Sequence, residues 1–323
     1  MLISWLEVIG GLVLLIWGAD RFVYGAASTA RNLGIDPLLI GLTIVALATS
    51  APEILVSIVA SVRGDPELAI GNAIGSNIVN IGLVLGGVAL IRPIKLTSAT
   101  LRNEMPALLA VTLLTVSLFL DAYLSRVDGT LLLIALVIVM IWLTRLGMRS
   151  TEHDPINAEY DAEIPRNVSM KMAVLWLAVG LGILLIGAEF MVNGAISIAR
   201  TLGISEVVIG LVLVAFATSL PELAVSLVSA LKEEYGLAIG NVVGSNIFNL
   251  LAVVGVAAVI EPAALPPSVL SLHVFVMTAF TLVMFAMTYE YGKAGRISRL
   301  EGAALLAAYV AYDTYVVMQY LYL

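Results

Sequence analysis

The chain is a succession of long apolar runs separated by short segments that carry proline, glycine and charged residues. A helix needs roughly 20 mostly apolar residues to cross the hydrocarbon core of a bilayer, and each run is about that long. The pattern therefore predicts an all-α polytopic membrane protein. We place its ten predicted transmembrane helices at residues 5–30, 37–61, 67–91, 104–121, 127–147, 172–199, 206–230, 237–260, 269–289 and 300–321.

The longest polar stretch separates the fifth span from the sixth and is rich in acidic residues. We predict that this stretch is a linker, because it is too short to fold by itself. The chain is accordingly divided into a first five-helix repeat at 1–148, an acidic linker at 149–171 and a second five-helix repeat at 172–323.

The two five-helix units resemble each other at a constant offset of 169 residues. Without any gap, 12 of the 21 residues at 41–61 are identical to those at 210–230. The same offset makes 12 of the 19 residues at 68–86 identical to those at 237–255. The identities include Thr, Ser, Pro, Glu and Asn, so shared apolar composition does not explain them, and we interpret the units as repeats.

Five is an odd number of spans, so the second repeat is expected to enter the membrane from the side opposite to the first. Inverted repeats characteristically hold a substrate site near the bilayer midplane, which is a transporter architecture. Basic residues favour the cytoplasmic side of short loops. With the N-terminus outside, 12 basic residues fall on inner loops or helix ends and 3 on outer ones. We therefore expect a multi-pass protein of the cell inner (plasma) membrane with both termini outside and a cytoplasmic linker.

Composition removes other classes of protein. Hydrophobic residues make up 61% of the chain and charged residues only 12%, about half the charged fraction of an ordinary soluble domain. The absence of cysteine excludes disulfides, thiolate metal sites and thiol redox chemistry. No basic segment precedes the first span, so we interpret it as a structural helix and not as a cleaved signal. We expect the lipid bilayer as its surroundings, no nucleic acid partner and no cofactor.

The first candidate chemistry is an Ala-Thr-Ser-x-Pro-Glu motif that occurs once in each repeat. It places Glu53 and Glu222 inside the second and seventh predicted spans. An ionised carboxylate in mid-membrane costs at least about 2.5–3.5 kcal/mol on insertion scales unless it is paired or hydrated. The proline before each glutamate removes a helix hydrogen bond, so we expect released carbonyls near 46–49 and 215–218. The hydroxyls beside them belong to Thr49, Ser50, Thr218 and Ser219.

Carboxylate, carbonyl and hydroxyl oxygens are the ligands that hard cations such as Ca²⁺ and Na⁺ prefer. The doubled motif therefore predicts a cation site between the repeats. The alternative is that the prolines and hydroxyls only serve helix packing and that each glutamate bonds to a neighbouring helix. Two copies of the motif in antiparallel halves favour the cation site.

A second motif, Gly-Asn-x-x-Gly-Ser-Asn, begins at Gly71 and again at Gly240. Positions four residues apart share one helical face, so each motif predicts a polar stripe along its helix. The stripes comprise Asn72, Ser76 and Asn80 in the first repeat and Asn241, Ser245 and Asn249 in the second. The alternative is a close-packed seam of Gly and Ser in which Asn bridges helices. Both interpretations hold together if glycine packs one face while the stripe faces the ions.

Glycine also recurs every seven residues in the first and sixth spans, which keeps it near one face and allows a close helix crossing. The positions are Gly11, Gly18 and Gly25, and then Gly180, Gly187 and Gly194. We favour static packing, with a smooth sliding surface as the alternative. Asp20 and Glu189 are related by the same 169-residue offset. For them we favour buried structural bonding over ion binding, although the sequence names no partner.

The doubled motifs in five-plus-five helices resemble the sodium/calcium exchanger family of the cation/Ca²⁺ antiporter superfamily, in its short prokaryotic form. The resemblance covers nearly the whole chain. It implies that Glu53 and Glu222 are central ligands shared by Ca²⁺ and Na⁺, and that the first and sixth spans slide to alternate access. It also implies that backbone carbonyls of Thr49 and Thr218 are ligands at the centre of the site, which Asn80 and Asn249 close. The outer Na⁺ sites that it implies are flanked by Ala46, Ser50 and Ser245 on one side and by Ala215, Ser219 and Ser76 on the other.

Many relatives carry Asp where this chain has Asn80 or Asn249. This departure from the family pattern leaves two formal negative charges in the site in place of three or four, so we do not expect K⁺ co-transport. The linker is also too short for the Ca²⁺-sensing domains of large animal exchangers. The leading interpretation is Na⁺/Ca²⁺ antiport. H⁺/Ca²⁺ antiport is the alternative, because paired carboxylates deprived of metal accept protons. A passive cation channel is less favoured, and an enzyme is not expected because no catalytic motif is present.

Overall fold

A computed structural model describes residues 1–96, 103–149, 168–203, 215–266, 269–288 and 295–321. These residues are almost entirely helical, which confirms the predicted all-α class. The helices are α1 (Leu2–Leu33), α2 (Pro37–Thr49), α3 (Ala51–Val62), α4 (Pro66–Ile91), α5 (Met105–Leu118), α6 (Arg126–Arg149), α7 (Met170–Thr201), α8 (Ala215–Thr218), α9 (Leu220–Leu231), α10 (Tyr235–Ile260), α11 (Val269–Thr288) and α12 (Arg299–Leu321). Four short strands are β1 (Ile94–Lys95), β2 (Tyr123–Leu124), β3 (Ala263–Ala264) and β4 (Arg296–Ile297).

Six helices in the described part of the chain are long and apolar enough to cross a membrane: α1, α4, α6, α7, α10 and α11. The helices α2 and α3 meet at a bend of 42° and are long and apolar enough for a seventh, broken span if they are counted together. The ends of the six helices differ from the predicted spans by at most three residues. The start of the seventh predicted span (206–214) and most of the predicted linker (150–167) lie outside the described residues.

The core of the protein is built around α4 and α10. Their apolar residues recur every three or four positions and fill the interior with branched side chains, as Ile70, Ile74 and Ile78 do in α4. Side chains from α5, α6, α9 and α11 pack on this centre. The burial of α4 and α10 places their polar stripes away from lipid, where polar groups need internal partners.

The two 32-residue helices α1 and α7 cross each other closely in antiparallel directions. A Cβ atom at Gly18 would lie 2.5 Å from the Leu184 nitrogen, and one at Gly187 would lie 2.5 Å from the Leu15 nitrogen. The predicted close crossing is therefore confirmed. The sequence did not predict which helix each glycine face contacts. The glycine faces join α1 to α7, so the two helices form one unit.

Asp20 lies on this unit and has the partner that the sequence could not name. Its Oδ1 atom is 2.7 Å from Lys232 Nζ, just beyond the end of α9. The prediction of structural bonding is therefore confirmed for Asp20. The position is not buried, however, because 37% of the Asp20 side chain is exposed. Glu189, the related residue, is exposed as well.

The strands tie the two halves of the chain together. Strand β1 pairs antiparallel with β4, and β2 pairs antiparallel with β3. Ile94 and Ala263, the first residues of β1 and β3, are separated by the 169-residue offset. Each half thus contributes a strand to each pair.

Candidate ion-binding site

Both motif glutamates lie in the first turn of a helix that begins directly after a break in the backbone. The breaks fall at Ser50 (φ −83°, ψ 2°) and Ser219 (φ −93°, ψ 4°), and α3 and α9 start at the next residue. The motif proline fits the first turn of each helix, because the N–H groups there have no partner within the helix. Glu53 and Glu222 therefore lie at helix N-termini, where the helix dipole favours negative charge.

The two carboxylates approach each other in the interior of the protein. Each glutamate is only 1% exposed, and the two are close enough to repel each other when both are ionised. The hydroxyls of Thr49, Ser50 and Ser245 lie beside the Glu222 carboxylate, and Ser50 Oγ donates to its Oε1 atom over 3.5 Å. The acidic group of the second motif is thus met by hydroxyls of the first.

Several buried oxygens of the motif residues, the carboxylates included, have no hydrogen-bond partner in the described part of the chain. They are Glu53 Oε2, Glu222 Oε2, Asn80 Oδ1, Asn249 Oδ1 and Ser219 Oγ. A buried acceptor without a donor costs about 1–3 kcal/mol, and more if it is charged. Buried charges are normally paired or bound to metal ions. The arrangement therefore presents unpaired oxygen ligands of the kind that hard cations take.

Only two of these oxygens come from acidic side chains. Among the described residues, no group of three or more His, Cys, Asp and Glu side chains is placed to hold a metal ion. Any cation bound here would complete its shell with neutral oxygens from Asn, Ser, Thr and the backbone. This composition suits an ion that is held and then released, since fewer charges bind a cation less tightly.

Asn80 and Asn249 each begin a π-helical turn within an otherwise α-helical span. The turns cover Asn80–Leu85 in α4 and Asn249–Val253 in α10. Such turns insert an extra residue into the helix and frequently occur at functional sites. The sequence motif placed both asparagines on a polar stripe, but its spacing did not indicate the change of helix type.

Asn241 is a residue of the site that sequence reasoning did not include among the ligands. Its Nδ2 atom donates to the Glu222 carbonyl over 3.2 Å and to Ser226 Oγ over 2.9 Å. Its Oδ1 atom accepts from Thr49 Oγ1 over 3.0 Å. Asn241 thereby holds the first turn of α9 against the end of α2. Its place on the predicted polar stripe was the signal that could have found it.

Three asparagines join α4 to α10 near the site. Asn77 Nδ2 donates to the Asn246 carbonyl over 3.3 Å, and Asn80 Nδ2 donates to Asn246 Oδ1 over 3.3 Å. Asn77 and Asn246 are separated by 169 residues, so equivalent positions of the two repeats contact each other. These residues follow the motif serine, and their fixed position in both motifs was the available signal.

Ala46 is buried as expected for a site residue, but its carbonyl is not released by the motif proline. It accepts from the Ser50 nitrogen over 2.9 Å and from Thr49 Oγ1 over 3.3 Å. The expectation of a free carbonyl at this position is therefore wrong. The physical reason is that proline removes the donor to the carbonyl four residues before it, two residues beyond Ala46.

The remaining predicted ligands fall into two groups. Ser76 and Ser245 are 4% and 0% exposed, on α4 and α10. Ala215 and Thr218 are the first and last residues of α8.

The glycines of the second motif pack α10 on α2, where a Cβ at Gly240 would lie 2.6 Å from the Leu38 carbonyl oxygen. In α10 the packing interpretation and the polar stripe therefore hold together. The segment that the repeat relates to the start of α2 lies outside the described residues.

Comparison with known proteins identifies the family. The family model described as sodium/calcium exchanger protein matches residues 3–145 and 172–318. The chain belongs to the sodium/calcium exchanger family. The resemblance inferred from the doubled motifs is thereby confirmed, as is the expectation of an antiporter in place of an enzyme. As an exchanger the protein has no cofactor, and Ca²⁺ and Na⁺ are substrates of its family.

Similar sequences and structures cover nearly all of the chain. The putative antiporter CaxA of Alkalimonas amylolytica is 47% identical over 313 residues, 97% of this chain and 98% of CaxA. The inner membrane protein YrbG of Escherichia coli is 38% identical over 292 residues, 90% of each chain. The sodium-calcium exchanger NCX_Mj, solved after soaking in 10 mM Na⁺ and 10 mM Sr²⁺, has a TM-score of 0.82 and 35% identity, covering 96% of this chain and 97% of its own.

Proposed function

We propose that the protein exchanges Ca²⁺ for Na⁺ across the cell membrane by alternating access, with the ions bound between the two motif pairs. The observation that carries the proposal is the pair of buried carboxylates, Glu53 and Glu222, each with an Oε2 atom that has no partner among the described residues. Two carboxylates that lie close together in a buried site repel each other unless a cation neutralises them. The substrate is the natural occupant.

The proposed ligand set is the one that the family resemblance implies, and the unpartnered buried oxygens support it. Glu53 and Glu222 would bind Ca²⁺ directly and share it with the amide oxygens of Asn80 and Asn249. Neutral hydroxyl and carbonyl oxygens would bind Na⁺, which carries a smaller charge than Ca²⁺. Backbone carbonyls of Thr49 and Thr218 would add ligands at the centre. The flanking Na⁺ positions would use Ala46, Ser50 and Ser245 on one side and Ala215, Ser219 and Ser76 on the other.

Charge arithmetic gives the proposal a consequence. The two carboxylates with one Ca²⁺ sum to zero, whereas the same site with three Na⁺ sums to about +1, so the Na⁺-loaded state would carry charge through the membrane. Moving one elementary charge across 100 mV is worth about 2.3 kcal/mol. Three Na⁺ are inferred from the family resemblance, and the neutral oxygens beside each glutamate would accommodate the outer two. Transport would then depend on voltage.

Alternating access would use two inverted repeats of five spans each, at 1–148 and 172–323, joined by a cytoplasmic linker at 149–171. Two observations support this symmetry. Asn77 contacts Asn246, its own repeat equivalent, as residues close to a two-fold axis do. Ile94 and Ala263 begin strands at equivalent positions, and each strand pairs with one from the other half. Ten spans would leave both termini outside, in agreement with the bias of basic residues.

H⁺/Ca²⁺ antiport is the second candidate, and the same observation favours it. The unpartnered Oε2 atoms of Glu53 and Glu222 would bind protons as readily as Na⁺ once Ca²⁺ has left. The two candidates differ in what the neutral oxygens are for. Na⁺ would use the hydroxyls and amides of the site as ligands, whereas protons would need only the carboxylates.

The test is ⁴⁵Ca²⁺ uptake into proteoliposomes with an imposed Na⁺ or H⁺ gradient. Wild-type protein should take up Ca²⁺ when internal Na⁺ flows out, and should ignore a pH gradient at equal Na⁺ on both sides. Uptake that is driven by protons and does not depend on Na⁺ would support H⁺/Ca²⁺ antiport and contradict Na⁺/Ca²⁺ antiport. Equilibration of Ca²⁺ without any counter-ion would indicate a passive channel.

A further inference from the structure

The ion pair between Asp20 and Lys232 joins the two-helix unit of α1 and α7 to the core of the protein. Lys232 Nζ lies 2.7 Å from Asp20 Oδ1 and also donates to the Asp20 backbone carbonyl over 3.1 Å. Lys232 is the residue that caps the C-terminus of α9, where the helix dipole favours a cation. Arg21 on α1 also faces the Asp20 carboxylate, at 3.5 Å, but it belongs to the same helix. Lys232 is therefore the anchor on the core.

The repeat contains the same two charges a second time. The 169-residue offset relates Asp20 to Glu189 and Lys232 to Arg63. The residue types differ in both cases, yet the sign of each charge is kept. Arg63 caps the C-terminus of α3 as Lys232 caps that of α9. The acidic member lies on the two-helix unit and the basic member lies on the core in both copies.

In this conformation only one of the two pairs is formed. Glu189 and Arg63 are both exposed, and no ion pair joins them in the part of the chain that the structure describes. Asp20 and Lys232 are bonded twice. Equivalent residues of the two repeats are therefore in different states, whereas a structure with exact two-fold symmetry would place them in the same state.

The spacing of the four residues along their helices indicates that the two pairs do not form together. Gly18 on α1 packs against Leu184 on α7, so Gly182 lies opposite Asp20 in this antiparallel crossing. Glu189 is seven residues further along α7, about 10 Å from the level of Asp20. Each base lies ten residues beyond its own motif glutamate, about 15 Å away along its helix. In the proposed inverted arrangement of the repeats, Arg63 and Lys232 would lie at opposite ends of the core and further apart than Asp20 and Glu189.

We propose that Asp20–Lys232 and Glu189–Arg63 are two alternative latches, of which one closes as the other opens when the α1–α7 unit slides along the core. The inference rests on the proposed function, since it assigns the closed latch to one access state and the open latch to the other. The glycine crossing moves with the unit, because it joins α1 to α7 and not to the core. The latches are the charged contacts that the slide would exchange.

The absence of cysteine makes a cross-linking test direct. The sensor is the double variant R63C/E189C, treated with a bifunctional thiol reagent because partners in an ion pair of long side chains exceed the reach of a disulfide. Its cross-linking yield reports how often the unit occupies the opposite position. Removing the closed latch with Asp20→Asn or Lys232→Gln in this background should raise the yield about two- to fivefold, the range expected for a partly exposed ion pair.

Charge-conserving and charge-swapped variants serve as controls. Asp20→Glu and Lys232→Arg should leave the yield of the sensor unchanged, and the double variant D20K/K232D should return it to the starting level. Retention of a monodisperse elution profile checks folding. A sensor that never cross-links, or a yield that Asp20→Asn and Lys232→Gln leave unchanged, would overturn the latch.

This readout is independent of transport. If the wild-type protein failed to exchange Ca²⁺ for Na⁺ while the sensor responded to Asp20→Asn, the proposed function would be wrong and the latch would stand. If exchange were intact and the sensor did not respond, the latch would be wrong and the function would stand.

Discussion

Two pairs of helices in this protein have similar apolar sequences and opposite surroundings. The buried share of the most apolar stretch is 72% in α4 and 83% in α10, against 28% in α1 and 22% in α7. The core pair is joined by asparagine hydrogen bonds, as between Asn77 and Asn246. The outer pair is joined by glycine backbone contacts. The apolar content of a helix thus predicts that it spans the membrane. The polar and glycine residues of the helix determine whether it lies in the core or outside it.

The difference also concerns movement. Hydrogen bonds between buried amides have fixed directions and leave unpaired groups when they break, so α4 and α10 resist displacement. Against the core, the α1–α7 unit presents mainly apolar side chains, with Asp20 as a charged contact. Apolar contacts in a membrane can be exchanged for lipid at little cost. The core pair is therefore suited to hold ions and the outer pair to move around them.

The largest expected effect is in the core. Glu53→Gln or Glu222→Gln should each reduce ⁴⁵Ca²⁺ uptake in proteoliposomes roughly 100-fold or more, because one carboxylate lost from a buried ion site costs several kcal/mol. The matched control is Glu67→Gln, which removes an exposed carboxylate at the start of α4 and should leave uptake unchanged. Near wild-type uptake in both site variants would remove the glutamates from the site.

A smaller effect is expected at the outer pair, α1 and α7, whose backbones pack closely at glycine residues. Gly18→Ala should lower the free energy of unfolding by about 1–3 kcal/mol, because its methyl group would meet the Leu184 backbone at 2.5 Å and the helices would have to separate. Thermal unfolding in detergent measures it. Gly10→Ala on the same helix is the control, since nothing lies within 4 Å of a Cβ there. Equal melting temperatures for the two variants would contradict the close crossing.

The smallest effect on folding, with a change of ion dependence, is expected at the π-helical turns. Asn80→Asp or Asn249→Asp would add a third carboxylate beside Glu53 and Glu222, and so raise the demand for positive charge in the site. We expect the protein to remain folded and the uptake to acquire a new dependence on K⁺ or on pH. Profiles of uptake against both ions, unchanged in the two variants, would mean that these asparagines do not face the ions.

The sequence predicted the helices of the fold well, because span length and polar interruptions are local properties. Both ends of six helices agree to within three residues, and the spacing of Gly11, Gly18 and Gly25 predicted a close helix crossing, which α1 makes with α7. The motif glutamates were found because a charge in mid-membrane is costly. The cost of a buried charge thus singled out the two glutamates, and the other predicted ligands came from the motifs and the family resemblance.

What the sequence did not predict depends on contacts between distant segments. The Asn241 bonds to Thr49 and to the start of α9 arise from helix packing across the two repeats. The Lys232 partner of Asp20 lies 212 residues away. The π-helical turn at Asn80 has no local signature in the motif. The Ala46 carbonyl was expected to be free, but the Ser50 nitrogen and the Thr49 hydroxyl bind it.

The most direct test of the central claim is the voltage dependence of Ca²⁺ uptake in proteoliposomes loaded with Na⁺. If three Na⁺ leave for each Ca²⁺ that enters, one net positive charge leaves, so an inside-positive potential should accelerate uptake and an inside-negative one should slow it. The account predicts this response together with a requirement for internal Na⁺. Uptake that requires Na⁺ but ignores voltage would contradict the charge assigned to the site, and uptake that proceeds without Na⁺ would contradict the exchange itself.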